Sequence, residues 1–545
     1  MYKLTYTLLL LTVFGIFLRF YQLDKYPVHL NHDEVSQIYD AISIAQTGKD
    51  IYGNFLPTIF ESVNDFKSPF YTYITSIFYL VFGPGEATVR LPAALFGSLI
   101  IPSVFIFVLK LLKNANIALA SAFLTAIAPF EIFFSRKSFE NGAGIFFMLL
   151  GFSFLLIFVE KKTHARWLYF ASLSFAIAMY TYFSHAILMP LLILSFLIIF
   201  RREFKFSKKI ITPLIFLTVL LIPLILIILT NPGSRYRSQT VFILQDPALG
   251  RQIELAKESS IMPFFYNYKA LIDFSLTRYL NQFDLMYLFG YGLDLTNQGP
   301  LGMGPLYLFQ LPLLLLGIYY LLNLNNLSAR KKFMMAWIII GMIPSGLTFE
   351  EHSPHRSIMV FTMLNIITAV GLYFLLNALK RKMYKFTFVF FSILITVIAA
   401  NFVYFIHIYT VNYPFEKSES MHYPFEQVTR YAWSQYQNYD QIIFDPLFGD
   451  IAPVIGTAAH YYLAYYGNYP PSKFQKEYRR GEKIREVIFD KFSIRKVDWR
   501  QDHGLKNTLI IASSWSLPID SIDKNKIKKV FNYYNGRPAF YAVGL

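Results

Sequence analysis

Long apolar runs, separated by short polar connections, follow one another from residue 4 to residue 408. A spanning helix needs about 20 apolar residues, and that measure predicts eleven crossings, at 4–20, 91–112, 117–134, 142–159, 167–183, 186–200, 210–230, 305–322, 333–349, 357–379 and 386–408. Lysines and arginines gather between them: Lys110 and Lys113; Lys161, Lys162 and Arg166; Arg201 to Lys209; Arg330 to Lys332; Lys380 to Lys385. These clusters fall in every second connection, together with Lys3, so the positive-inside bias assigns that side, and the amino terminus, to the cytoplasm.

Parity decides the role of Pro69–Phe82, which is apolar but short. If it crossed, every later basic cluster would change sides, so it reads as an interfacial or re-entrant helix on the outer face. A second such helix is expected over 34–47, where Val35, Ile38, Ile42 and Ala45 recur at helical spacing and form one stripe. Beyond about residue 409 the long runs give way to short ones bounded by turn residues, such as Gln441–Phe444 and Thr508–Ala512, with a helical stretch at 457–466. That alternation predicts a small α/β domain. The expected architecture is a polytopic α-helical membrane protein: a transmembrane domain over 1–408 with about eleven transmembrane and two interfacial helices, then an extracytoplasmic α/β domain over 409–545.

Composition agrees. Of 545 residues 55% are hydrophobic and only 15% charged, against roughly 25% charged in soluble domains. The net charge of +16 lies in the cytoplasmic clusters and forms no nucleic-acid-binding stripe. Cysteine is absent, which removes disulfides, thiolate nucleophiles and cysteine metal sites. The first run has no small-residue cleavage site and reads as an uncleaved span.

The outer side then collects the polar groups of a site. Asp33 and Glu34 open the 34–47 helix, where the helix dipole favours carboxylates. They either cap that helix or supply a general base that takes a proton from an acceptor hydroxyl. Lys67 and Arg90, with Arg136, are cations on the face that the topological bias disfavours; they either reach lipid head groups or bind a phosphate. Glu140 and Asn141 share the turn after Pro129. The 350–356 turn, Glu-Glu-His-Ser-Pro-His-Arg, contributes His355 and Arg356, and could be a charge-paired turn or hold a divalent cation. Tyr182, among Tyr180 to His185, suits a sugar face or an aromatic belt. The glycine-rich stretch at 290–305 lacks a Gly-Lys-Ser/Thr ending and is no nucleotide loop.

Three stretches in this order, Asp33-Glu34, then Lys67-Ser-Pro-Phe-Tyr71, then Arg90-Leu-Pro-Ala-Ala-Leu-Phe-Gly97, resemble the protein O-mannosyltransferase and aminoarabinose-transferase type of GT-C glycosyltransferase. Ser135-Arg136, Tyr180-Thr181-Tyr182 and His355-Arg356 continue the resemblance, which covers residues 4–379. It implies transfer of a sugar from a polyprenyl-phosphate carrier to a protein, lipid or glycan acceptor outside the cytoplasm, at the plasma membrane, usually with inversion. By position, Asp33 and Glu34 would be catalytic, Lys67, Arg90 and Arg136 would bind the donor phosphate, and Glu140, Tyr182, His355 and Arg356 would line the substrate. Two departures stand out: Ser68-Pro69 replaces the Pro-Pro frequent in relatives, and Glu140 stands near an aspartate of some relatives. No resident metal or cofactor is assigned, although a divalent cation stays open. The rival readings are a flippase or transporter for lipid-linked substrates, and a glycan polymerase or ligase of similar architecture. Transporters tend to keep their ionisable groups near the bilayer midplane within repeated halves, whereas here they gather at one face.

Overall fold

All eleven expected crossings coincide with helices in the computed structural model, which describes residues 2–62, 66–161, 164–204, 208–231, 242–258, 263–293, 299–323, 328–348, 350–382, 384–480 and 486–545. Lys162, Lys205 and parts of the 231–304 connection lie outside these residues. Among the described residues six helices are long and apolar enough to cross a membrane, and a bent pair makes up to seven. That pair, Ala115–Ile127 and Pro129–Ser135, bends by 55° where Pro129 begins the second helix. The four remaining segments form shorter helices: Arg166–Thr181 and Phe183–Ile199 of 16 and 17 residues, and Gln310–Asn323 and Ser328–Gly341 of 14 each. The last stops well short of residue 349, because the chain breaks and restarts as Ile343–Gly346 with Pro344 in its first turn.

By contacts the chain divides into two units. The helical unit takes residues 1–21 and 93–408. Its core is aromatic: Trp337 is fully buried among Phe107, Phe152 and Phe333, and its indole N–H donates to the carbonyl of Met359 at 3.0 Å. Gln310–Asn323 meets Pro354–Lys382 at Gly317 and Gly371, where an added Cβ would strike the carbonyls of Ile367 and Leu313. Small residues at such crossings let two backbones approach closely. The described part of the 231–304 connection contains the helices Pro247–Glu258 and Pro263–Asn281, and Arg278 of the second pairs at 2.6 Å with Asp246, just ahead of the first.

The second unit joins residues 22–92 to 409–545. Its sheet has seven strands, running from edge to edge Ile527–Asn532, Pro538–Gly544, Thr508–Ala512, Gln441–Phe444, Phe492–Ile494, Val487–Phe489 and Arg479–Arg480. The central strand is parallel to both neighbours, and the outer pairings are antiparallel. Side chains alternate across a strand: Ile442 and Phe444 enter one core while Ile443 enters the other, which makes this an α/β sheet covered on both faces.

The apolar stripe of His32–Thr47 serves that larger core. Val35, Ile38, Tyr39 and Ile42 pack with Ala459–Tyr466 and its neighbours. Tyrosines fasten the junction, Tyr39 Oη donating to the carbonyl of Tyr469 at 2.8 Å and Tyr462 Oη to that of Leu30 at 2.6 Å. Gly48, at φ +68°, closes the helix in the left-handed region and donates its N–H to Ile44. Pro69–Phe82 is sided the other way. Thr72, Thr75 and Ser76 are buried, while Ile77, Leu80, Val81 and Phe82 are exposed.

Candidate active site

Asn31 starts His32–Thr47 with a reciprocal capping box. Its Oδ1 accepts the N–H of Glu34 at 2.9 Å, and its own N–H donates to Glu34 Oε2 at 3.1 Å. The cap fixes the first turn, which sends its two carboxylates into different environments. Glu34 is buried and Asp33 is 42% exposed.

Glu34 meets Arg90 across a buried pair, with Nε–Oε1 at 2.9 Å and Nη2–Oε2 at 3.2 Å. The guanidinium also donates to the carbonyls of Leu23, Pro27 and His29 at 3.0, 2.9 and 2.7 Å. A guanidinium has five N–H donors, and all of Arg90's are placed within the protein. Such a group braces the 22–31 segment against the helix Glu86–Leu112.

Asp33 faces Lys67. The ammonium, buried, lies 3.1 Å from Asp33 Oδ1 and donates to the Asp33 carbonyl at 2.9 Å and to Ser36 Oγ at 2.8 Å. Ser36 in turn meets Ser62 Oγ at 2.9 Å. Lys67 belongs to the two-residue strand Phe66–Lys67, paired with Phe60–Glu61, so a local ribbon delivers the cation to the start of the helix. On its other side Asp33 Oδ2 is 3.5 Å from His32 Nε2. The His32 ring lies 5.2 Å from that of His422. Burial, with His32 and His29 nearby, holds His422 well below the usual histidine range, so it stays neutral. Further along the helix Asp40 is fully enclosed; burial and the nearby Asp50 push its carboxyl well above the usual range.

In the helical unit several turns converge on His355, which stands at the start of Pro354–Lys382. Phe139 stacks on its ring with centroids 6.4 Å apart, Tyr182 meets it edge-on at 6.4 Å, and Asn141 Nδ2 donates to its carbonyl. Ser353 Oγ lies 3.3 Å from Nε2. Arg356 pairs with Glu350 at 3.3 Å, and Glu140 is buried. Arg136 donates to the carbonyls of Leu18 and Tyr21, both at 2.8 Å, at the carboxy-terminal end of the first helix, where cations are favoured.

The structure therefore brings together Asp33 with Lys67, Glu34 with Arg90, and Asn141, Tyr182 and His355. His422 does not stand out in the sequence, although His422-Tyr-Pro-Phe-Glu426 echoes Asn412-Tyr-Pro-Phe-Glu416 ten residues earlier. Nor does Arg19, fully buried and donating to the carbonyls of Gly15, Thr125 and Ala126. Among the described residues the ligand atoms of the 350–356 turn do not converge as a metal site; the group that does is His29, Glu86 and Glu426.

Residues 66–228 match the family described as dolichyl-phosphate-mannose-protein mannosyltransferase. No curated protein sequence matches significantly. Among solved structures, ArnT from Cupriavidus metallidurans bound to undecaprenyl phosphate is similar over 98% of this chain and 97% of its own, with a TM-score of 0.55 at 14% identity. Its apo state gives 0.53 at 13%, over the same shares. The oligosaccharyltransferase AglB from Archaeoglobus fulgidus, in complex with an inhibitory peptide and a dolichol-phosphate, is similar over 86% of this chain, with a TM-score of 0.51 at 11% identity. This chain spans 64% of the AglB chain, just under two thirds. At such identities the likeness establishes the fold, and the fold is that of the GT-C glycosyltransferases, as the motifs at Asp33, Lys67 and Arg90 led one to expect.

Proposed function

We propose that this chain is an integral membrane glycosyltransferase that moves a sugar from a polyprenyl-phosphate carrier to a protein, lipid or glycan hydroxyl on the extracytoplasmic side of the plasma membrane. The observation that carries the reading is Asp33: an exposed carboxylate, anchored through its own backbone and side chain to a buried lysine, at the capped start of a helix. As the acceptor oxygen attacks the anomeric carbon, Asp33 receives the hydroxyl proton. The bond from that carbon to the phosphate oxygen breaks, and its electron pair leaves with the polyprenyl phosphate. Such a leaving group needs positive charge and no protonating acid.

Lys67 supplies that charge nearest the base, and Arg136 supplies more at its helix end. Glu34 and Arg90 hold the capped turn from behind; in this reading their share of catalysis is positional, and Arg90 reaches a phosphate only through its field. Glu140, Tyr182, His355 and Arg356 line the substrate side of the helical unit. The likeness to a protein solved with undecaprenyl phosphate and to one solved with a dolichol-phosphate supports a polyprenyl-phosphate donor. All eleven apolar segments cross in the proposed topology, with the amino terminus in the cytoplasm. The outward apolar residues of Pro69–Phe82 dip into the outer leaflet, as their inverted burial favours.

Membranes carrying the chain, given radiolabelled polyprenyl-phosphate sugars, transfer label to an endogenous acceptor. Asp33→Asn lowers the rate by about 100-fold or more, the usual reach of a general base, without loss of folded protein. Unchanged transfer by that variant removes Asp33 from the mechanism, and absence of any wild-type product across the sugars offered removes the transferase reading.

A further inference from the structure

The second unit holds a cluster that the transfer reaction does not use. His29, two residues ahead of the Asn31 cap, Glu86, at the start of Glu86–Leu112, and Glu426, on Pro424–Ser434, bring one ligand atom each within 4.8 Å of one another. His29 is 1% exposed, and its Nε2 has no hydrogen-bond partner among the described residues. Its Nδ1 lies 3.5 Å from Glu426 Oε2. That is long for a hydrogen bond, and close to the separation of about 3.3 Å between two ligands on a tetrahedral ion at 2.0–2.1 Å.

The surroundings are those of ligands held in place. The imidazole lies nearly parallel to the rings of Tyr462 and Tyr466, with centroids at 5.7 and 6.0 Å and planes within 12°. Tyr466 Oη donates to Glu86 Oε1 at 2.7 Å, and Arg430 Nε to Glu426 Oε1 at 2.7 Å. Outer partners of this kind orient carboxylate ligands and leave the opposite oxygen for the ion. Two carboxylates against one guanidinium leave one negative charge for an ion to meet, while the neighbouring Arg90–Glu34 pair cancels itself. We propose that His29, Glu86 and Glu426 form a divalent-cation site, of one nitrogen and two carboxylate ligands suited to Zn2+ or Mn2+.

The ion acts as a brace and takes no part in the chemistry. Arg90 already holds the His29 carbonyl, so a bound ion ties the same segment by its side chain to Glu86 and Glu426, four residues ahead of Asp33. The inference is independent of the transferase reading, and its readout is binding.

Full-length protein in detergent, stripped with EDTA and titrated with ZnCl2 and MnCl2, is expected to take up one ion per chain by elemental analysis and to melt at a higher temperature with it. Glu86→Gln and His29→Gln lower the affinity at least 10-fold, in line with loss of a ligand, and abolish the ion-dependent rise in melting temperature. His503→Gln, a change of an exposed histidine, leaves both intact. Variants are scored only where they elute as the wild type does, and Glu426→Gln serves where His29→Gln fails to fold. A wild-type chain that takes up neither ion at micromolar concentration overturns the proposal. So does uptake that survives Glu86→Gln and either His29→Gln or Glu426→Gln.

Discussion

In the unit built from 22–92 and 409–545, the buried cations Lys67 and Arg90 face carboxylates; in the helical unit, Arg19 and Arg136 turn to backbone carbonyls at helix ends. The same side-chain chemistry thus serves two purposes. Pairing with Asp33 and Glu34 fixes charged groups around an open carboxylate. Donation to carbonyls satisfies helix ends where water is scarce, a need that apolar surroundings impose on every polar backbone group. Of these four cations, Lys67 and Arg90 hold the capped turn, while Arg19 and Arg136 tie helix ends to their neighbours.

The sharpest way to break this contrast is to remove one partner of the buried pair. Glu34→Gln leaves Arg90 enclosed without its counter-charge, a change that costs about 3–5 kcal/mol, and thermal or denaturant unfolding of the purified protein should report it. A loss below about 1 kcal/mol would show that the carbonyls of Leu23, Pro27 and His29 suffice to hold the guanidinium. Asp33→Asn, at the exposed member of the same turn, should change stability by less than about 1 kcal/mol, so the two acids separate by a measurement of stability alone.

A change of intermediate size probes acid tolerance. His460 is fully buried beside Tyr461 and Phe474, and burial, aided by the charge of Arg480, lowers it to about 4. Because the unfolded chain binds a proton near pH 6.5 and the folded one does not, stability falls as pH drops from about 6.5 towards 4, by about 1.4 kcal/mol per unit for this group. Melting curves between pH 7 and 5 should show that slope, and His460→Phe should flatten it; an unaltered slope would shift the acid sensitivity to other groups. In the helical unit, Gly371→Ala places a methyl against the Leu313 carbonyl and should cost about 1–3 kcal/mol by overpacking. Wild-type stability in that variant would mean that the helices part at little cost.

The two units also differ in how much of them can be read from sequence. Apolar runs report helices directly, and all eleven coincide with helices, the form in which an apolar segment satisfies its own backbone. Their lengths were less legible: Pro344 ends Ser328–Gly341 early, and the stretch before Gln310 is not helical. Asp33, Lys67 and Arg90 stood out by type and by sidedness. Their pairing did not, because it depends on the Asn31 cap and on a two-residue ribbon too short to leave a periodic signal. The partner of the His32–Thr47 stripe was equally hidden. Period alone shows that a stripe is apolar, and here it is covered by residues more than 400 positions away, such as Tyr461 and Tyr462.

That separation sets a timetable for biogenesis. Tyr39 and Tyr469 are joined by a hydrogen bond across 430 residues, and at about 5–20 residues per second the ribosome needs roughly 20–90 s to supply the second after the first. For that interval Val35, Ile38 and Ile42 lack the residues from 459 onward that complete their core. The unit begun by residues 22–92 is therefore completed only when the last quarter of the polypeptide arrives.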